Sequence, residues 1–511
     1  MKKILIIIMV SILMVSLTLT GIGCKETEKE TTTEKETTTE VKLVDAPFSD
    51  YVEGLLKIQA PEGFDWKQCQ GITLNFISEN TTPSVALEAD IKVFEDVTGI
   101  TVNIEQAALD VVVEKVGLDV NAKSSKYQLI YADPYQILSK HSQNLIDLNT
   151  FINNPDLPSV PGGLEDFMAS QLEVCGYMNN KDALYALPYD APTMLLAYRT
   201  DVFAKYKDLF HEENGYDWTP GPNLTWDQFY EIGSWINGKV ADGTITEVKY
   251  GTGHQAKQYD SLMCDFSNVL AAFGGSYFED PNVGSIGTLN PGKSMLTSEE
   301  ALEAAEFYKK LIEIAAPGST SWDWSGVAEA FAVGNIAMTP NWHEFSAFFE
   351  DSSQSQVVGN VGWTILPKKV RNANIYGGTG ISISKYTSEK EQLAAWMFIV
   401  WATSPQAQYA CLTSDVGGST PTRYSVYELP DVINGMQVGT EESKRMPNLL
   451  SSGAVMEAWK TDNIYMRPKF PQWVQLDTII YTELSKMLTT GQSPADTMKN
   501  IANQCNTLTG N

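Results

Sequence analysis

Histidine is scarce: the 511-residue sequence has four, His141, His211, His254 and His343. None sits in an H-E-x-x-H pair, so a zinc-peptidase helix is excluded. There is no G-x-S-x-G elbow and no G-x-G-x-x-G dinucleotide fingerprint. Their absence removes the commonest hydrolase and dehydrogenase assignments. Gly287 to Ser294 matches the phosphate-binding pattern G-x-x-x-x-G-K-S, but without the strand running into it that such a loop requires. Cysteine is sparse and scattered. Cys24, Cys69, Cys175, Cys264, Cys411 and Cys505 show no C-x-x-C spacing and frame no metal site. Basic residues are in deficit, 36 against 63 acidic ones, for a formal net charge of −27. So acidic a chain does not suit nucleic acid or an anionic membrane surface. A neutral or cationic solute is accommodated more easily than a multiply charged anion. No internal repeat is present.

What is there begins with an export signal. Lys2 and Lys3 precede an apolar run from Ile4 to about Leu19, followed by Thr20-Gly21-Ile22-Gly23-Cys24. A basic start, an apolar stretch and small residues before a cut site describe a signal peptide over 1–23. The cysteine after the small residue resembles a bacterial lipobox, which makes Cys24 the lipidated new N-terminus. Gly21 stands where that pattern prefers leucine. An uncleaved membrane anchor is the competing assignment, since the run is near the lower length limit for a span. Either way the body of the protein is expected outside the cytoplasm. Residues 24–45 are rich in Thr and Glu with almost no apolar side chains at first. They read as a flexible tether that cannot offset its ordering entropy by burial. About 20 such residues would reach roughly 25 Å. If Cys24 carries lipid, five cysteines remain, allowing at most two disulfides and best explained as small apolar fillers. Residues 46–69 read as an extension packed on the first half.

Ile72-Thr-Leu-Asn-Phe-Ile77 alternates and is β-branched, a strand. Thr82 as cap and Pro83 at the first helical position open a helix carrying Leu87, Ile91 and Phe94. Gly99 suits a left-handed C-terminal cap. Thr101-Val-Asn-Ile104 is the next strand, so a βαβ unit with parallel strands is expected. Tyr127–Tyr131 reads as another strand, running into Asp133-Pro134. Ligands of open α/β sheets sit beyond the carboxyl ends of the strands, where Glu79, Asn80 and Asp133 fall. Later helices open at Thr297 with Glu300, at Ser388 with Glu391, and at Ser493-Pro494. Trp396 and Trp401 lie on the apolar face of the second of these and read as core.

Several segments together resemble the extracellular solute-binding proteins of ABC importers, carbohydrate type, similar to maltodextrin-binding proteins. They are Phe94-Glu95 with Thr98-Gly99-Ile100, Asp182 to Pro188 with Leu196-Ala-Tyr-Arg199, Leu224-Thr-Trp-Asp227 and Phe273-Gly274-Gly275. Phe331-Ala-Val-Gly334 with Ala337-Met338, Gly377-Gly378, Ser404 to Gln408 and Arg467-Pro468 follow. Their order over some 400 residues carries the resemblance, not any one of them. It implies an α/β, two-lobed periplasmic-binding-protein-like fold of type II, with about three hinge crossovers. Residues 70–187 and 371–417 would form the first lobe, 188–370 and 418–511 the second. It further implies a monomer that captures a sugar or oligosaccharide by hinge closure and delivers it to the importer's membrane subunits. No catalytic residue, metal or cofactor is implied.

A sugar offers hydroxyls at its edge and C–H groups on its faces, so its site needs aromatic plates with carboxylates or amides between them. Tyr135 follows the same strand as Asp133, and to Glu79, Asn80, Asp133 and Tyr135 the resemblance adds Tyr189, Asp190, Tyr259, Asp260, Trp342 and Trp473. Trp324, in the Trp322-Asp323-Trp324 trio, is a further plate. Gly377, Gly378 and Thr379 would let backbone N–H groups approach the ligand. Two other functions compete. A polyamine or other cation would also suit the acidic charge and aromatic plates. A lipid-anchored glycosidase would need two carboxylates across a glycosidic bond, and none lies in a recognisable hydrolase motif.

Overall fold

The computed structural model describes residues 41–280, 283–416 and 418–511. The signal peptide, Cys24 and most of the expected tether lie outside the described residues. Leu43–Asp45, expected as the end of the tether, is instead a strand paired antiparallel with Gln59–Pro61. The segment after it packs inward: Phe48, Ile58 and Cys69 are buried beside Phe94 and Trp401 in one apolar core.

Two sheets organise the rest. The first runs in the order Thr101–Ala107, Thr73–Glu79, Leu129–Ala132, Thr379–Ile383, Leu187–Asp190. Thr73–Glu79 is parallel to both its neighbours, as the βαβ pattern requires. Thr379–Ile383 is antiparallel to both of its own. The connecting helix Thr82–Thr98 ends at Gly99 in the left-handed conformation, φ 66°. Its cap is Thr81, one residue earlier than expected, because Pro83 fits the second helical position as well as the first. On this sheet Phe94, Phe398 and Trp401 form an aromatic cluster with centroids 5.4–5.7 Å apart. The helix carrying Trp396 and Trp401, Glu389–Ala402, opens with the expected Ser388–Glu391 capping box. Another helix starts one residue late, with Ser298 rather than Thr297 accepting from Ala301.

The second sheet runs Val361–Thr364, Met194–Arg199, Ile336–Trp342, Tyr250–Thr252. Its helices build a separate apolar core that includes Phe229, Phe266, Tyr308, Trp473 and Ile501. Only three residues separate Asp190, at the end of one sheet, from Met194, at the start of the other. A second passage runs beside it: Gly377 N–H donates to Pro192 O at 2.9 Å, and Tyr376 bridges Thr193. Two adjacent extended strands of this kind form a hinge whose φ and ψ changes can rotate one half on the other.

The segment from Gly418 was expected with the second half, but its first part stays with the first. Arg423 is fully buried. Its guanidinium lies 3.5 Å from the Phe167 ring centre and donates to Thr403 O at 2.8 Å and Pro161 O at 2.9 Å. A buried cation so held cannot be pulled away cheaply. The helices from Tyr424 to Ala458 then touch both halves: Val426, Tyr427 and Leu449 pack with Leu412, while Val455 and Ala458 pack with Leu195 and Ile365. Among the described residues, no helix is long and apolar enough to cross a membrane. All five described cysteines are free and buried, as apolar fillers would be.

Candidate functional site

A cavity of about 750 Å³ opens where the carboxyl ends of the first sheet face the second half. From the first half come Glu79, Asn80, Thr81, Tyr131 and Asp133. The hinge supplies Asp190, Pro192 and Gly377. The second half supplies Asp260, Trp324, Trp342, Glu344, Phe345, Phe348 and Arg467. Asn448, Lys444, Arg445 and Asp415 close the far end. Glu79, Asn80 and Asp133, at their strand ends, line the same cavity as Asp260, Trp324 and Trp342.

Each acidic side chain is fixed by its local backbone. Asp133 caps the turn after Leu129–Ala132: its Oδ1 accepts from Tyr135 N at 2.9 Å and Gln136 N at 2.7 Å. This is the turn-former role, and it leaves Oδ2 for the cavity. Glu79 accepts from the Tyr131 hydroxyl at 2.8 Å. Asp260 opens the helix Asp260–Ala272 and meets Arg467 Nη1 at 3.5 Å. The Arg467 guanidinium in turn lies 4.1 Å from the Tyr135 ring centre. Asp190 accepts from Thr420 N at 3.0 Å, and its carboxyl group hydrogen-bonds that of Glu344. Asp260 and Asp477 form a second carboxyl pair.

Burial dominates the electrostatics. It pushes Glu79 up to about 8, against the Tyr131 hydrogen bond that lowers it. It raises Asp133 despite Arg467, and lifts Asp190 to about 6. Burial first, then the nearby Asp190 charge, holds Glu344 well above the usual carboxylate range. Asp477 is raised in the same way, by burial and then by Asp260. A carboxyl group kept protonated is a donor as well as an acceptor, which suits it to the mixed edge of a hydroxylated molecule.

Six expected residues do not line the cavity: Tyr135, Tyr189, Tyr259, Gly378, Thr379 and Trp473. Tyr135 is fully buried beneath Arg467, and its hydroxyl donates to Tyr376 O at 3.1 Å. Tyr189 is buried with its hydroxyl 3.1 Å from that of Ser84. Trp473 is a core residue, edge-on to Tyr277 at 5.6 Å. Thr379 is buried inside the first sheet. Gly378 is needed for packing rather than for ligand approach: a Cβ there would lie 1.9 Å from the Tyr376 hydroxyl. Its neighbour Gly377 lies under Trp342, whose ring a Cβ would meet at 2.8 Å. Tyr259 stands behind Trp324, ring centres 5.2 Å apart, and orients that indole.

Glu344 and Arg467 line the cavity but were not among the expected site residues. Glu344 follows the strand Ile336–Trp342, so the strand-end rule that selects Glu79 applies to it equally. Arg467 is visible in the sequence only as part of Arg467-Pro468, and nothing local shows that it turns toward Asp260.

Two α/β halves joined by adjacent hinge strands, with a polar and aromatic cleft between them, define a hinged binding protein. The family model described as bacterial extracellular solute-binding protein matches residues 78–409. The chain belongs to this family of extracytoplasmic binding proteins. It is 24% identical over 257 residues to a probable ABC transporter-binding protein of Deinococcus radiodurans, covering 50% of this chain and 54% of that one. It is 20% identical over 381 residues to an erythritol/L-threitol-binding protein of Mycolicibacterium smegmatis, covering 72% and 73%. Maltose-bound MalE3 of T. maritima superposes with a TM-score of 0.68 at 23% identity, covering 86% of this chain and all of that one. The chain thus spans about half the length of the first of these relatives.

Proposed function

We propose that this protein is the extracytoplasmic binding component of an ABC importer for a sugar, oligosaccharide or polyol. The observation that carries this is the composition of the cleft. Trp324 and Trp342 offer ring faces, while Glu79, Asn80, Asp133, Asp190 and Asp260 offer planar polar edges, and the two sets come from both halves. Such a site is complete only when the halves approach, so ligand binding drives closure through contacts that exist in the closed form alone. Relatives that bind erythritol or threitol, and a maltose-bound structural neighbour, support the same ligand class. The protein works as a monomer without catalysis, held at the membrane by lipid on Cys24, and presents its closed form to the importer's membrane subunits.

A thermal-shift screen against sugars, polyols and polyamines tests the ligand class, since a ligand that binds only the folded state must raise its apparent stability. Small-angle scattering at saturating ligand then tests closure. A sugar or polyol that raises the melting temperature and shrinks the particle supports the proposal. Stabilisation by polyamines alone, or no compaction with a bound sugar, defeats it.

A further inference from the structure

We propose that the preferred ligand is a hydroxylated molecule bearing an amino group, an amino sugar or amino polyol, held as its ammonium form against Asp133 and Glu79. This deepens the carbohydrate assignment above and rests on it.

The charge inventory of the cleft points there. Glu79, Asp133, Asp190, Asp260 and Glu344 line its inner part, with Asp477 directly behind Asp260. The cationic side chain among them is Arg467, and it already faces Asp260 at 3.5 Å. At the far end Lys444 is paired with Glu441 at 2.6 Å and Arg445 with Asp431 at 2.9 Å. Every base on the cavity wall therefore has an acid of its own. The five acids of the inner wall have Arg467 between them, whose charge also reaches Asp133 and Glu79.

Asp133 shows the consequence most directly. It is 3% exposed and lines the cavity, and both backbone N–H groups that reach it go to Oδ1. Burying a carboxylate oxygen without a partner costs more than burying a hydroxyl, and a cation satisfies it better than a neutral donor does. Glu79 likewise has one hydroxyl donor, Tyr131, and only the charge of Arg467, which also serves Asp260 and Asp133. Trp324 and Trp342 complete the environment, because indole faces attract an ammonium as well as the C–H face of a ring. Asn80, Thr81 and Asn448, neutral hydrogen-bonding groups on the same wall, account for the hydroxyls.

In the free protein the excess acid is accommodated by protons, which burial retains on Glu79 at neutral pH. An ammonium beside these carboxyl groups lowers their proton affinity, so binding expels protons. A neutral ligand only desolvates them further and takes protons up or leaves them unchanged.

The test is isothermal titration calorimetry at pH 7 in two buffers of different ionisation enthalpy. It uses the full chain in a detergent without a sugar head group. Ligands are matched pairs: glucose and glucosamine, galactose and galactosamine, sorbitol and glucamine. The expected result is at least one amino member binding tenfold or more tighter than its neutral partner, with net proton release. Asp133→Asn and Glu79→Gln, which keep the Tyr135, Gln136 and Tyr131 hydrogen bonds, should remove most of that preference while the melting temperature holds. Equal or tighter binding of the neutral members overturns the amine proposal and leaves the carbohydrate assignment standing. So does amine binding without proton release that both variants retain. Binding by neither member of any pair overturns the amine proposal, and the absence of any stabilising sugar, oligosaccharide or polyol in the thermal-shift screen overturns the carbohydrate assignment as well.

Discussion

Asp190 and Glu344 join carboxyl to carboxyl at the hinge, one at the end of the first sheet and the other just past the end of a strand in the second. Thr420 donates its N–H to Asp190 at 3.0 Å, and His343 Nε2 lies 2.6 Å from the Thr420 hydroxyl. His343 Nδ1 lies 3.0 Å from both the N–H and the carbonyl oxygen of Thr193. Burial holds His343 down to about 4, so at neutral pH it is uncharged, one ring nitrogen donating and the other accepting. The hinge is therefore tied across its two halves by a network in which burial and the Asp190 charge hold a proton on Glu344.

That proton makes stability depend on pH with a defined sign. A carboxyl group raised in the folded state contributes stability that is fully present below its unfolded value and is lost as pH rises through the folded one. Glu344 is raised well above 4.5. Glu344→Gln keeps a hydrogen-bond donor toward Asp190 without needing a proton. The variant should match the parent near pH 5 and grow progressively more stable than it up to pH 8. Thermal unfolding of both across that range checks this, and a constant gap would count against a proton held on Glu344.

Trp342 and Trp473 should separate binding from stability. Trp342 is half-buried on the cleft wall, and Trp473 is fully buried in the second core. Trp342→Ala should weaken ligand binding roughly tenfold, the scale of one lost ring contact, with a small change in melting temperature. Trp473→Ala should cost about 3–5 kcal/mol of stability through the cavity it leaves. Calorimetry with the identified ligand and urea unfolding distinguish them.

Gly378→Ala tests why that glycine is there. Its added Cβ meets the Tyr376 hydroxyl at 1.9 Å, inside the hinge. The tyrosine must shift, at a cost of about 1–3 kcal/mol. Tyr376→Phe leaves ring Cζ 2.2 Å from the added Cβ, so it should recover little of that loss, whereas in a Tyr376→Ala background Gly378→Ala should cost little in urea unfolding. An undiminished cost in that background would show that the obstruction lies elsewhere.

Arg423 should be worth far more than a surface arginine. Arg423→Ala strips donors from the carbonyls of Thr403 and Pro161 and leaves Asp166 with its Arg423 contact, 3.5 Å away, removed. A loss of about 3–5 kcal/mol is expected. The exposed Lys92–Asp96 pair, by contrast, should contribute little, because solvent screens it. Paired denaturation curves of Arg423→Ala and Lys92→Ala measure the difference.

Much of the architecture was legible in the sequence because it is set by short-range physics. The Ser388–Glu391 box, the left-handed Gly99 and the βαβ unit over 73–107 depend on residues within a turn or two of one another. The strand-end position of Glu79, Asn80 and Asp133 follows from the same local order. Whether a side chain faces the cleft or the core is decided by segments far apart in the chain. Tyr189 is drawn inward by Ser84, 105 residues earlier, and Arg467 is turned toward Asp260, 207 residues earlier. Trp473 and Trp342 look alike as aromatic residues late in the sequence. Helix packing buries the first and the hinge exposes the second, because burial is a property of the assembled halves and not of any one segment.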